Sequence, residues 1–234
     1  MQAQALPTRR FTRGESLFSF ITEHLDELPE DSILAIASKI VALSQNRWLD
    51  RPFTTEEVRE ASDWSVETPY AQLTLVDGHW CPNAGMDASN ADHGSVLWPI
   101  ELESTTDVLC EQLKTHYGCR NLGLIITDSR VFPLRQGVTA VSLMHAGFRA
   151  LRDYRGEPDL DGRPMRMTTV NVADALATTA ALLMGEGNEQ QPLCLIFGAP
   201  VVFCEERAQE SLFITPRDDL FAPLYRSISD FPLV

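Results

Sequence analysis

Lysine is almost missing from this chain: Lys39 and Lys114 are the only two among 234 residues. Arginine supplies the rest of the 19 cationic side chains, which face 33 carboxylates, and the formal net charge is −14. That balance argues against broad binding to a nucleic-acid backbone. It leaves room for an anionic small ligand around which the few cations gather. No apolar run approaches the roughly 20 residues of a membrane-spanning helix, so no membrane partner is expected. Met1 to Arg13 is polar, carries several arginines and lacks the apolar core of a signal peptide. Cysteine pairs at CxxC spacing are absent as well. The five cysteines, Cys81, Cys110, Cys119, Cys194 and Cys204, are odd in number and widely spaced. This reads as reduced thiols in a cytoplasmic protein rather than a zinc site or a disulfide framework. Tandem repeats, low-complexity tracts and an obvious linker are also lacking, which predicts a single domain over 1–234 with room for two closely packed subdomains.

What is present is ordinary globular composition, 44 % hydrophobic and 22 % charged. Leu17, Ile21, Leu25 and Leu28 recur at helical spacing and predict an amphipathic helix over 15–28. Ile33 to Ala37 reads as a buried strand, with Ser38 as cap of a helix beginning at Lys39. Thr54 and Glu57 fit a capping box ahead of a helix near 55–61. Residues 70–76 alternate like a strand, and Asp77-Gly78 signals a hairpin into 79–81. Asn83 to Asn90 reads as a loop. A helix is expected over 105–117, with Val108, Leu109 and Leu113 inward and Gly118 as its stop. Leu122 to Thr127 is a buried strand ending in Asp128-Ser129, and 138–144 is another. Asp153 to Arg166 predicts an extended loop, 169–184 a helix closed by Gly185, and 193–197 and 201–204 two further strands. Hairpins mixed with strand–helix units point to α+β or mixed α/β.

Two carboxylates stand out. Asp87 lies in the small-residue run Asn83 to Asn90, NAGMDASN, which allows close approach of a ligand to backbone. Asp128 ends an apolar strand, where side chains emerge into loops. With Asn90 and Ser129 beside them they suit a hard, oxygen-seeking cation such as Mg²⁺ or Mn²⁺; the alternative is an Asx turn at Asp87 and a turn or helix cap at Asp128. Ser38-Lys39 follows a buried strand at a helix start, a place where phosphate is bound, or else is a surface lysine after a cap. No P-loop pattern accompanies it. Gly185-Glu186-Gly187 suggests a nucleotide loop at first sight, but its acidic residue and its place after a helix rather than a strand favour a plain C-cap. The five histidines are scattered and read as structural or surface residues, except that His79 precedes the Asp87 loop.

Taken in order, these segments resemble the coenzyme F420-0:L-glutamate (γ-glutamyl) ligase family. Ala37-Ser38-Lys39-Ile40-Val41 is similar to its "TSKVV", NAGMDASN to its "NAGIDxSN", and Ile125 to Ser129 to its "IITDT/S". Ala146-Gly147, then Asp153-Tyr154-Arg155-Gly156, Asp159, Asp161-Gly162 and Thr168, follow "AG…DYRG..D..G…T", and Val172 to Ala177 follows "VADELA". The resemblance spans about Leu6 to Gly198.

It implies an α+β fold forming an intertwined homodimer and a ligase joining a small-molecule carboxylate to L-glutamate. GTP and a divalent cation, Mg²⁺ or Mn²⁺, activate the carboxylate as an acyl phosphate, which the glutamate amine then attacks. Carried over by position, Asp87, Asp128 and Ser129 are metal ligands, and Leu6, Pro7, Ser38, Lys39 and Asn90 hold the nucleotide. The chain also departs from the pattern. A second lysine and "EGR" give way to Leu43, Gln45-Asn46 and Arg47; "PEDPDxSA" to Pro99 through Thr105; "GRPWR" to Val131 through Arg135; and a late arginine to Phe197. These departures motivate two other readings: a ligase for another carboxylate, such as a folate or natural product, and a relative that binds a nucleotide or ligand without catalysis.

Overall fold

In the computed structural model, residues 1–91, 93–205, 212–228 and 231–232 are described. The chain begins with β1 (Gln2–Leu6), α1 (Leu17–His24), β2 (Ser32–Ala37) and α2 (Ser38–Ser44). It continues through β3 (Trp48–Leu49), α3 (Thr55–Glu60), β4 (Trp64–Glu67), β5 (Gln72–Val76), β6 (His79–Pro82) and β7 (Ser95–Val96). Then come α4 (Leu102–Tyr117), β8 (Leu122–Val131), β9 (Val138–Ala146), β10 (Leu151–Asp153), β11 (Thr169–Asn171), α5 (Val172–Met184), β12 (Leu193–Phe197) and the short α6 (Ala222–Tyr225). Helices and several small sheets are combined as an α+β class requires. The chain divides into two compact units, Met1–Gln45 with Pro99–Glu210, and Asn46–Trp98 with Ser211–Val234.

The first unit is built on a five-stranded mixed sheet in the order β1-β12-β2-β8-β9. Only β2 and β8 run parallel; the other neighbours are antiparallel. β2 (SILAIA) and the first half of β8 (LGLIIT) are apolar at nearly every position because both sheet faces are covered. Leu34, Ile36, Leu124, Ile125 and Ile126 are fully buried, each contributing about 1.5–3 kcal/mol of transfer free energy. The register places Leu6, Leu193, Ile36, Ile126 and Met144 in one row across all five strands. Residues beyond that row therefore emerge at one end of the sheet.

The second unit holds the three-stranded antiparallel sheet β4-β5-β6 and the pair β3-β7. Asp77 and Gly78 both have positive φ, 48° and 77°, as the tight turn between β5 and β6 requires. The capping box of α3 forms as its sequence predicts: Thr54 accepts from the Glu57 N–H, and the Glu57 carboxylate accepts from the Thr54 N–H. Rings of Trp64, Trp80, Tyr225 and Phe231 pack together, Phe231 stacking on Trp80 with centroids 5.3 Å apart.

Several expectations are corrected. The first helix ends at His24 rather than 28, ahead of Pro29, although Leu25 and Leu28 remain buried. α4 starts at Leu102, and Val108 is exposed while Leu109 and Leu113 point inward; Gly118 does stop it in the left-handed region. Residues 169–171 belong to β11, so α5 begins at Val172 with Asn171 as its side-chain cap. The segment after Asp153 is a loop as expected, with no helix or strand before Thr169, but not an extended one: Gly156 donates to Met165, Met165 to Glu157 and Asp159 to Arg163, folding it back on itself. Val201 to Cys204 forms no strand of its own but pairs briefly with residues 147–149, through the bridge Phe148–Phe203 and bonds from the Arg149 N–H to Val202 O and from the Cys204 N–H to Gly147 O. Among the described residues, no helix is long and apolar enough to cross a membrane.

Candidate functional site

The parallel pairing of β2 with β8 ends at Ala37 opposite Thr127. Ser38 and Asp128 are the next residues on the two strands, and the Ser38 hydroxyl donates to Asp128 Oδ1 at 2.6 Å. Ser38 was expected to cap the following helix. Instead it is the first residue of α2, Ala37 is the N-cap, and no side chain caps the turn. Asp128 and Ser129 were expected at the strand end. They lie inside β8, which runs on to Val131 against β9, with Asp128 opposite Val141 and Ser129 opposite Ala140. A register shift after Ile126, where β9 carries the extra residue Leu143, precedes them and re-aims the strand locally.

The same end of the sheet collects the other predicted residues of this unit. Leu6 is the last residue of β1 and Pro7 follows it, beside the start of β12 at Leu193. Thr8 donates its N–H to Gln190 O at 3.0 Å, and Ala37 to Pro192 O at 2.9 Å, tying the segment that leads into β12 to this edge. Lys39 follows Ser38 in α2 and is half-buried. Outside the carboxyl ends of adjacent parallel strands lies the usual binding crevice of a mixed sheet.

Glu186 is the residue that sequence reasoning missed. Gly185 does close α5, its N–H donating to Ala181 O, as a C-cap should. The next residue turns its carboxylate to the Ser129 hydroxyl, at 2.8 and 2.7 Å from the two oxygens. A lone acidic residue between two glycines was the available signal. At the other end of α5, the Asp174 carboxylate accepts from the Ser142 N–H at 2.8 Å and from the Asn171 amide at 2.7 Å. Burial pushes its carboxyl above the ordinary carboxylate range, opposed by those donors and by the charge of Arg130.

Asp87 and Asn90 belong to the second unit. Asp87 exchanges both backbone hydrogen bonds with Val96, at 2.9 and 2.8 Å. Its carboxylate accepts from the Ser89 N–H and hydroxyl, both at 2.7 Å, which is the Asx turn weighed above. Asn90 is exposed with φ 53°. His79 is buried against the rings of Phe213 and Trp98, in keeping with a structural role. Phe197, where the resemblance expected an arginine, pairs with Gln2 and Ser32. That is the opposite end of the sheet from Ser38 and Asp128, so this departure leaves their surroundings untouched.

The donors at the sheet end are hard oxygens, which suit Mg²⁺ or Mn²⁺. Among the described residues no group of three or more His, Cys, Asp and Glu forms a ready-made cage. The oxygens come in pairs, Ser38 with Asp128 and Ser129 with Glu186. All five cysteines are free; burial pushes the Cys110 thiol up to about 12 and Cys194 to about 11, far from nucleophilic character.

The mixed sheet thus gathers two carboxylate–hydroxyl pairs, Ser38 with Asp128 and Ser129 with Glu186, at the end where β2 and β8 finish their parallel pairing. The sequence profile of the F420-0:gamma-glutamyl ligase family matches residues 51–198. The chain is 31 % identical over 227 residues to the coenzyme F420:L-glutamate ligase of Methanosarcina acetivorans, covering 88 % of each. It is 31 % identical over 247 residues to that of Methanopyrus kandleri, covering 94 % of this chain and 97 % of the relative. A Methanococcus maripaludis protein of the same name is 35 % identical over 215 residues, 83 % of this chain and 86 % of its own. The chain belongs to the F420-0:gamma-glutamyl ligase family, a family of enzymes that form a carbon–nitrogen bond.

Proposed function

We propose that this protein is an F420-0:γ-glutamyl ligase that uses GTP and a divalent cation to join a carboxylate to the amine of L-glutamate. The observation that carries the reading is the convergence of Leu6-Pro7, Ser38-Lys39, Asp128-Ser129 and Glu186 on one sheet end, in a chain whose full-length relatives bear that name. The substrate carboxylate attacks the terminal phosphoryl group of GTP and releases GDP. The glutamate amine then attacks the resulting acyl phosphate, losing a proton as inorganic phosphate departs.

Asp128 and Ser129 would hold the cation, with Glu186 beside Ser129; Asp87, in the second unit, is a further proposed cation ligand in its own right. A Mg²⁺-type ion needs only one or two protein carboxylates when substrate phosphates and waters complete its shell. When bound, it neutralises charge on the phosphates and on the departing oxygen. Ser38 orients the Asp128 carboxylate. Lys39 offers a point charge to a phosphate, and Leu6, Pro7 and Asn90 contact the nucleotide. We also read the protein as a homodimer: Val131, Phe132, Leu134 and Val138 at the β8–β9 turn are exposed, Leu134 fully, an apolar surface that favours a covering partner.

A second reading, ligation of a different carboxylate, is favoured at α4. There Gln45 donates to Ile100 O and Thr105 and accepts from the Ile100 N–H, so the segment replacing the family's acidic run is a fastened helix start. Purified protein with Mn²⁺, GTP, L-glutamate and F420-0 tests both, by phosphate release and product mass. The expected product carries one added glutamyl residue, and Asp128→Ala abolishes it. Turnover only with another carboxylate selects the second reading. Nucleotide binding without hydrolysis or ligation selects a non-catalytic relative.

A further inference from the structure

The loop that carries Asp87 turns through three successive residues in the left-handed region: Asn83 at φ 52°, Ala84 at 53° and Gly85 at 69°. Glycine accepts this conformation freely and asparagine tolerates it, but alanine does not. Such backbone persists only where its surroundings over-determine it, and here the restraints are explicit. Thr74, at the centre of β5 and fully buried, accepts the Ala84 N–H at 2.9 Å and donates to Cys81 O at 2.6 Å. Asn83 Oδ1 accepts the Gln72 N–H at 3.1 Å. The Trp98 ring lies where a side chain on Gly85 would stand: a Cβ there would be 1.8 Å from Trp98 Cε3.

Two residues further on, Val96 holds both backbone groups of Asp87. The segment between these anchors is Gly85 and Met86 alone, so the turn that Thr74 fastens fixes the course of the backbone into Asp87, whose carboxylate Ser89 then holds. An apolar β-branched residue would serve a buried strand position as well; the hydroxyl instead ties β5 to the loop through the Ala84 N–H and to β6 through Cys81 O.

We propose that Thr74 is a positioning residue for the Asp87 carboxylate: its hydroxyl locks the left-handed Asn83–Gly85 turn so that the carboxylate is presented ready-made to a divalent cation. The proposal rests on the reading of Asp87 as a cation ligand. It does not make Thr74 part of the chemistry.

Titration of the full chain with Mn²⁺, read as loss of the free-ion electron paramagnetic resonance signal, tests it alongside thermal melts. Thr74→Val is expected to weaken Mn²⁺ binding by roughly tenfold or more, the range typical of groups that orient a metal ligand. Thr74→Ser, which keeps the hydroxyl, restores most of the affinity. Asp87→Asn weakens binding as well. A purely structural role would lower the melting temperature of Thr74→Val without changing the affinity of its folded fraction. Wild-type affinity in Thr74→Val with weakened binding in Asp87→Asn overturns the positioning role alone. Wild-type affinity in Asp87→Asn removes the cation role of Asp87 and the proposal with it. Should Thr74→Val not fold, Asn83→Gly removes the other polar latch while accepting positive φ; weakened binding supports the locked turn and unchanged binding overturns it.

Discussion

Ser38 and Asp128 stand 90 positions apart in the chain, yet the hydroxyl of one donates to the carboxylate of the other at 2.6 Å. The parallel register makes this unavoidable. Ala37 faces Thr127, so the residue after each leaves the ladder beside the other. Ser38→Ala removes this donor to the Asp128 carboxylate. Mn²⁺-dependent ligation should fall about 10- to 100-fold, while stability changes by about 1 kcal/mol, the net value of one hydrogen bond. Steady-state rates and denaturant melts on the same preparation separate the two; unchanged rates would remove Ser38 from the site.

Glu186 carries the second prediction. It is exposed, and its carboxylate accepts from the Ser129 hydroxyl. Glu186→Gln keeps the shape and a hydrogen-bonding oxygen but removes the charge. Mn²⁺ affinity measured by calorimetry should drop, with the melting temperature close to wild type. The opposite pattern, a lower melting temperature with intact affinity, would make Glu186 a structural tie.

Acid should loosen α3 in a defined window. The Arg51 guanidinium, then the Thr54 N–H, hold the Glu57 carboxyl down to about 2 from an ordinary 4.5. A folded-state value below the unfolded one means that the contribution is present above about 4.5 and is lost as pH falls through about 2. The stability difference between wild type and Glu57→Gln should therefore shrink across that window in thermal melts. Thr54→Ala, which removes the side-chain cap, should cost about 1 kcal/mol at neutral pH.

Asp174 has the reverse sign. Burial raises its carboxyl above the unfolded value, so its contribution is fullest below the ordinary carboxylate range and is lost as pH rises through the raised folded value. Asp174→Asn keeps an oxygen for the Ser142 N–H without a buried charge. The variant should gain stability relative to wild type as pH rises from the acid range to neutrality. A constant difference across that range would show that hydrogen-bonded partners fully offset desolvation.

Much of the fold was written in local pattern. The apolar runs of β2 and β8 lack alternation because both faces are covered, and Thr54-Glu57 and Asp77-Gly78 carry their geometry within four residues. What local pattern missed was decided at a distance. Ser38 has the chemistry of an N-cap, but a carboxylate on the neighbouring strand competes for its hydroxyl. β8 runs past Thr127 because β9, beyond its bulge, still offers a partner. Val201 to Cys204 has a strand's composition but finds only a one-bridge pairing, with residues 147–149. Glu186 sits in a sequence that correctly spells a C-cap, and nothing local names Ser129 as its partner. At Asp87 the turn reading is the one the fold forms, with Ser89 as its partner.

The decisive measurement follows oxygen. F420-0 labelled with ¹⁸O in its reacting carboxylate is incubated with the protein, GTP, Mn²⁺ and L-glutamate, and the released phosphate is analysed by mass. Carboxylate activation predicts one ¹⁸O in each inorganic phosphate, matched by one glutamyl amide formed. Phosphate free of label, or released without amide, would contradict the account.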